Sequence, residues 1–368
     1  MNGAREKILI RGVNWLGDAV MSTPALQRLR EAKPNAHITL LTAEKLAGLW
    51  QNHPALDAVL TFAKGESARQ VGQKLRGEKF DIGLALPNSH RSAIELWFAG
   101  IPQRIGYARF GRNLFLTKTI QPRAGAVEMH KRSVAEIKDL IAGRKIKREE
   151  IIPAQAHHIF QYLHLVAALG AKPEPLAPRI EVTENEVAAF EKRLQEISGE
   201  NSLWFGLNPG AEYGPAKRWP AERFIAAAID LHQKTKCGWI IFGANDSATQ
   251  QIATELEKKL GCDFVENFAG KTSLRELCAG LKYCKLVLTN DTGPMHVAAA
   301  LGTPVVVPFG STSFELTGPG LPGNNDHALL KSSVPCSPCF LRECPIDFRC
   351  MKSIEVEKVV AACLKFLK

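Results

Sequence analysis

Twice along this 368-residue chain, apolar runs of strand length alternate with segments whose apolar residues recur at spacings of three and four. Such alternation is the signature of βαβ units, and hence of a parallel sheet covered by helices on both faces. In the first half, residues 7–12, 37–43, 58–62 and 81–86 read as buried strands, and 24–31, 43–52, 67–76 and 91–99 carry the helical spacing. In the second half, strands are expected at 204–207, 239–242, 286–289 and 305–309, with helices at 224–232, 247–260, 273–281 and 295–301. The pattern weakens over residues 123–178, where helical segments at 134–140 and 158–169 lead into Lys172-Pro173-Glu174-Pro175-Leu176-Ala177-Pro178. Prolines so close together break any helix and read as a connection between domains. The chain is also too long for one ordinary core. The expectation is therefore an α/β protein of two doubly wound, Rossmann-like domains, residues 1–173 and 174–350, facing across a cleft, with a C-terminal helix in 351–368 packing back across the domain boundary. In sheets of this kind ligands bind outside the carboxyl ends of the strands.

A composition of 45% hydrophobic and 23% charged residues is that of a globular protein. No segment approaches the ~18 unbroken apolar residues of a membrane span, and residues 1–7 lack the apolar centre of a signal peptide, so a cytoplasmic location is expected. The formal charge of +10 is unevenly spread: residues 104–148 hold 12 Lys or Arg against Glu128, Glu136 and Asp139. A basic face of this kind suits anionic lipid headgroups, a phosphorylated substrate or nucleic acid, or is simply a solvated surface. Nucleic acid is the weakest of these readings, because zinc-finger spacing, an RNP-type aromatic run and a basic zipper are all missing. Of nine cysteines, Cys336-x2-Cys339-x4-Cys344-x5-Cys350 lies in a proline-rich loop, a spacing compatible with four thiolates on zinc or with two disulfides. It is not the repeated C-x2-C of a zinc ribbon, and reduced or paired cysteines are the simpler expectation.

Three loops stand where this architecture places active sites. The first follows the opening strand: Arg11-Gly12-Val13-Asn14-Trp15-Leu16-Gly17-Asp18. It is glycine-rich but has neither the dinucleotide nor the P-loop spacing, and an acidic residue there would repel phosphate. Asp18 reads instead as a carboxylate able to take a proton from a substrate hydroxyl, or as a helix cap. The second loop, Asn208 to Pro220, is rigid and basic; Lys217 is placed to neutralise a diphosphate leaving group or is a solvated lysine. The third, Asn290-Asp291-Thr292-Gly293-Pro294-Met295-His296, reads as strand, tight turn and helix start. The first N–H groups of such a helix have no intrahelical partner and carry the positive end of its dipole, which makes a seat for phosphate. The plainer reading makes Asp291 or Thr292 an N-cap. Beside it, Asn245 and Asp246 follow a strand where ribose hydroxyls usually sit. Thr272 precedes a capping box, Ser273-x-x-Glu276, in a segment able to frame a base.

Taken together, Asn-Trp-Leu-Gly-Asp at the first loop, Gly-Pro-Ala-Lys-Arg-Trp-Pro at the second and Asp-Thr-Gly-Pro-Met-His at the third resemble the ADP-heptose:lipopolysaccharide heptosyltransferases of glycosyltransferase family 9. The resemblance runs nearly the full length, and the first two loops look most like the heptosyltransferase II branch. It implies a GT-B fold, with the acceptor on the N-terminal domain and ADP-heptose on the C-terminal domain. The family's base falls on Asp18 and its phosphate-binding lysine on Lys217. The diphosphate turn falls on Asp291, Thr292, Gly293 and His296, and the ribose contact on Asn245 or Asp246. Asn14 and Trp15 are then acceptor contacts. The implied reaction is an inverting transfer of heptose to the inner core of lipopolysaccharide, most like the second heptose. It implies no cofactor, and an anionic lipid A-core acceptor met at the inner face of the inner membrane. No Asp-x-Asp occurs in the chain, which supports metal independence. Two alternatives are a GT-B-type nucleotide-sugar epimerase and a non-catalytic sugar-nucleotide or membrane-surface binding protein. The cysteine cluster is left unexplained by the resemblance.

Overall fold

Ile8, Leu9 and Ile10 are consecutive yet wholly buried, so both faces of their strand are covered, as in a parallel sheet between helices. The computed structural model describes residues 5–127, 129–144, 153–198 and 203–367. It divides the chain into two units, Met1–Ala126 with Gln155–Glu181, and Val127–Ala154 with Val182–Lys368.

The first unit carries β1 (Lys7–Arg11), β2 (His37–Ala43), β3 (Ala58–Phe62), β4 (Ile82–Ala85), β5 (Gln103–Tyr107) and β6 (Lys118–Ile120) in the order β3-β2-β1-β4-β5-β6. All neighbours are parallel. The second unit repeats this topology with β7 (Trp204–Asn208), β8 (Gly238–Ile241), β9 (Val265–Asn267), β10 (Val287–Thr289), β11 (Val305–Phe309) and β12 (Ala328–Lys331), in the order β12-β11-β10-β7-β8-β9. In each sheet the strand order reverses at one point, between β1 and β4 and between β7 and β10. The loops leaving those strands diverge there and open a crevice. The first and second candidate loops follow β1 and β7, and the third follows β10.

The eight expected strands form, and the apolar pattern does not point to the other four. The edge strands β6 and β9 have only three residues each, β5 opens on Gln103 and Arg104, and the edge strand β12 is only partly buried. Such strands carry too little periodic signal to stand out. The segment expected as a helix over 43–52 is a 3-10 helix at Glu44–Trp50, and a helix at Glu184–Ser198 joins those expected.

The units also divide elsewhere than at 173/174. The helix Val134–Ile141 packs with the second unit, because its Ile137 clusters with Cys336 and Cys339. The C-terminal helix, Val356–Leu364, buries Val359, Val360 and Cys363 in the second unit's core with Trp219, Phe224 and Val306. Its apolar stripe packs against the helix Ala221–Thr235. No helix among the described residues is long and apolar enough to cross a membrane.

Candidate active site

In the first unit the loop after β1 is held from beneath by a buried ion pair. Arg11, 1% exposed, meets the fully buried Glu95 at 2.7 Å and donates to Asn14 Oδ1 at 2.8 Å. A buried charge needs such partners to remain in place. The bond fixes the orientation of Asn14 at an exposed position, next to a half-exposed Trp15. Asp18 is not the N-cap of the following helix, Leu16–Met21. Trp15 takes that position, and Asp18 lies in the first turn, partly exposed, where the helix dipole favours its negative charge.

Two residues that sequence reasoning did not single out face Asp18. Tyr162, from the helix Ile159–Ala167, donates its hydroxyl to Asp18 Oδ1 at 3.1 Å. Burial and then the Asp18 charge hold its phenol proton well above the ordinary tyrosine range. His158 is kept below the usual imidazole range by burial, against the opposing pull of Asp18. A tyrosine on the buried face of a mainly apolar helix was the signal available, since its polar tip must find a partner when buried.

In the second unit the adjacency of β7 and β10 brings the other two loops together, with Thr289 in register with Asn208. Asn290 clamps them: its Oδ1 accepts the Trp219 N–H at 2.9 Å and its Nδ2 donates to the Pro209 carbonyl at 2.6 Å. Lys217, only 13% exposed, reaches Asp291 at 2.6 Å, and the Asp291 carboxylate also accepts Thr312 Oγ1 at 2.6 Å. The ammonium therefore stands as the held half of an ion pair, not as a solvated lysine. Thr292 occupies the N-cap of the helix Gly293–Ala300 but its side chain caps nothing, and Pro294 fills the first turn. Thr292 thus makes no side-chain cap hydrogen bond at the helix start, as suits an anion seat. His296 is buried in the same helix.

The remaining candidates leave the same carboxyl edge. Asp246 accepts the Thr249 N–H at 2.9 Å as N-cap of the helix Ser247–Leu260 and approaches Arg218 at 3.5 Å. Asn245 beside it is exposed. The turn after β8 is tied to the turn after β9 by Gly270 N–H to the Gly243 carbonyl, 2.9 Å, and Thr272 follows, just before the capping box that Ser273 and Glu276 complete. Asn14, Trp15 and Asp18 belong to the first unit, and all the other candidates to the second.

The loop carrying Lys217 is built against the cysteine-rich segment. Tyr213 Oη donates to the Phe340 carbonyl at 2.8 Å, and its ring lies 4.9 Å from Lys217 Nζ and 5.1 Å from the Arg342 guanidinium. The Ala216 N–H bonds the Arg342 carbonyl at 3.0 Å. A Cβ on Gly214 would stand 2.4 Å from that same carbonyl oxygen, a backbone atom with no room to yield. Gly214→Ala should therefore displace Lys217. The expected result is a loss of roughly 1–3 kcal/mol of stability in thermal melts, with a weakened ADP titration. Cys336, Cys339, Cys344 and Cys350 border one small space with Ala216 and Ile137, as free thiols. Burial pushes the Cys336 and Cys339 thiols up and that of Cys350 to about 12, so these pack as small apolar groups. Among the described residues no group of ligand-type side chains is placed to hold a metal ion.

This geometry has counterparts among known proteins. The profile of glycosyltransferase family 9 (heptosyltransferase) matches residues 68–140 and 139–348. The chain is 27% identical to lipooligosaccharide heptosyltransferase 2 of Campylobacter jejuni over 98% of both chains. It is 30% identical to lipopolysaccharide heptosyltransferase 2 of Salmonella typhimurium over 85% of both. Among solved structures, Escherichia coli ADP-heptose lipopolysaccharide heptosyltransferase II superposes with a TM-score of 0.75 at 25% identity, covering 98% of each chain. The two doubly wound units are those of a GT-B fold, and the chain belongs to glycosyltransferase family 9, the heptosyltransferases.

Proposed function

We propose that this protein transfers L-glycero-D-manno-heptose from ADP-heptose to the inner core of lipopolysaccharide, as the second heptose, with inversion and without a metal ion. The observation that carries the reading is the start of the Gly293–Ala300 helix, where Thr292 makes no side-chain cap bond, beside a lysine held by Asp291, at the point where the second sheet reverses its strand order. The relatives named as heptosyltransferases 2 support the choice of sugar and acceptor.

In this mechanism Asp18 accepts the proton of an acceptor hydroxyl as the oxygen forms its bond to the anomeric carbon. The bond from that carbon to the β-phosphate oxygen breaks on the opposite face, and ADP leaves. Lys217 and the N–H dipoles at the Gly293 helix start stabilise the charge that grows on the diphosphate. Asp291 is a positioning residue, since a carboxylate repels phosphate but anchors the ammonium. Asn245 is better placed than Asp246 for the ribose, because Asp246 is engaged as a cap. Thr272 and His296 complete the donor side. Asn14 and Trp15 bind the acceptor, and the basic stretch in 104–148 faces the inner leaflet. Its residues 128 and 145–148 lie outside the described residues.

The test is a mass-spectrometric transfer assay with core acceptors carrying zero, one or two heptoses. One heptose should be gained, fastest on the acceptor that carries one, with ADP released only when acceptor is present and in undiminished amount with a chelator. ADP release without acceptor would favour an epimerase, and no turnover on any acceptor a binding protein.

A further inference from the structure

Phe110 is 98% exposed and Leu114 is 82% exposed, on one loop between β5 and β6 of the first unit. Large apolar side chains so fully in water are costly where nothing covers them. This loop is not slack. Arg112, fully buried, donates to the carbonyls of Ser89 at 3.0 Å and Pro87 at 3.0 Å and also to that of Tyr107. Asn113 Oδ1 accepts the Arg109 N–H at 2.8 Å, and His90 Nε2 pairs with the Phe110 carbonyl at 2.9 Å. A Cβ on Gly106 would stand 2.7 Å from the Arg112 guanidinium, so the sequence leaves room for this support. The loop is held so that its tip displays Phe110 and Leu114.

The electrostatics of the same segment identify what covers them. Residues 104–123 contain Arg104, Arg109, Arg112, Lys118 and Arg123 and not one Asp or Glu. Each of the five side chains donates to at least one backbone carbonyl, which does not cancel its charge. An acidic protein partner would answer the charge, but a stable protein interface buries about 800 Å² on each side, and two tip side chains among hydrated cations offer far less apolar area. A bilayer accepts isolated apolar wedges flanked by cations, since the wedge enters the acyl boundary while the charges stay with the headgroups. Trp97, 46% exposed with its ring 5.7 Å from that of Phe115, adds a neighbouring aromatic of the type enriched at membrane interfaces.

We infer that the loop bearing Phe110 and Leu114 inserts into an anionic lipid bilayer, with the exposed Arg109 and Lys118 on the headgroups. The inference deepens the membrane-facing part of the proposed function, but its test needs neither donor nor acceptor. The full-length protein is sedimented with vesicles of phosphatidylcholine alone or mixed with phosphatidylglycerol. Wild type should bind the anionic vesicles, and less so as salt rises. Phe110→Ser and Leu114→Ser should each lower the partition on the order of tenfold at low salt, and Phe110→Leu should retain most of it. Both Ser variants should melt as wild type does, because the side chains removed were already in water. Residues 108–116 should gain protection from hydrogen exchange on anionic vesicles only.

Equal partition of wild type into neutral and anionic vesicles, or of the Phe110→Ser/Leu114→Ser double variant and wild type, would overturn the inference. So would loss of heptose transfer to a deacylated, water-soluble acceptor in the double variant, which would make the loop a sugar contact. Vesicle binding without any heptose transfer would count against the proposed function and leave this inference standing.

Discussion

Asp18→Asn should lower kcat on the order of 10²- to 10⁴-fold, with ADP affinity nearly unchanged. The amide keeps the shape of the carboxylate and its capacity to accept from Tyr162, so the loop after β1 should hold its form. What it loses is the ability to take a proton. Because Asp18 lies in the first unit and the donor candidates in the second, removing the base should not disturb nucleotide binding. Isothermal titration with ADP beside steady-state transfer separates the two effects. Undiminished turnover in the variant would remove Asp18 from the reaction.

Tyr162 gives that prediction a finer test. Its hydroxyl stays protonated far above neutral pH and so serves only as a donor to Asp18. Tyr162→Phe withdraws one hydrogen bond to a charged group, a loss of roughly 1.5–3 kcal/mol, or on the order of tenfold to a hundredfold in rate if it is felt fully in the transition state. The effect should be smaller than that of Asp18→Asn, and little should remain to be lost when the two changes are combined, since both act on one carboxylate.

Most of the fold could be read from the chain because parallel strands buried on both faces leave continuous apolar runs, as at Ile8 to Ile10 and Val305 to Val307. Three of the four edge strands could not, because β6, β9 and β12 have three or four residues each and carry few wholly buried ones, whereas the edge strand β3 shows the longer apolar run Ala58–Phe62. The junction after β10 was legible as a local motif, strand then turn then helix start. The pairing of Lys217 with Asp291 was not. These residues are far apart in the chain and meet only because β10 lies beside β7, a fact of topology with no trace in either loop. The same holds for Tyr162 and Asp18, and for Arg342, whose carbonyl shapes the Lys217 loop from a segment that read as a cysteine motif.

The Lys217–Asp291 pair leads to the second large effect. Lys217→Ala should lower kcat about 10²- to 10³-fold, as expected when one electrostatic contact of some 3–4 kcal/mol to the transition state is removed. It should also weaken ADP binding more than loss of a solvated lysine would. With the ammonium gone, the Asp291 carboxylate, 4% exposed, keeps its bond from Thr312 but faces the diphosphate uncompensated. That repulsion is removable. Lys217→Ala/Asp291→Asn should therefore bind ADP better than Lys217→Ala alone while remaining slow, because the amide cancels the repulsion without replacing the cation. Asp291→Asn by itself should lose less rate, since Lys217 keeps its charge and loses only one anchor. A complete cycle of the four proteins, read by ADP titration and by kcat, gives the coupling energy of the pair. If the double variant binds ADP no better than Lys217→Ala, Asp291 does more than orient the lysine; if Lys217→Ala turns over at the wild-type rate, the charge on the leaving diphosphate is met elsewhere.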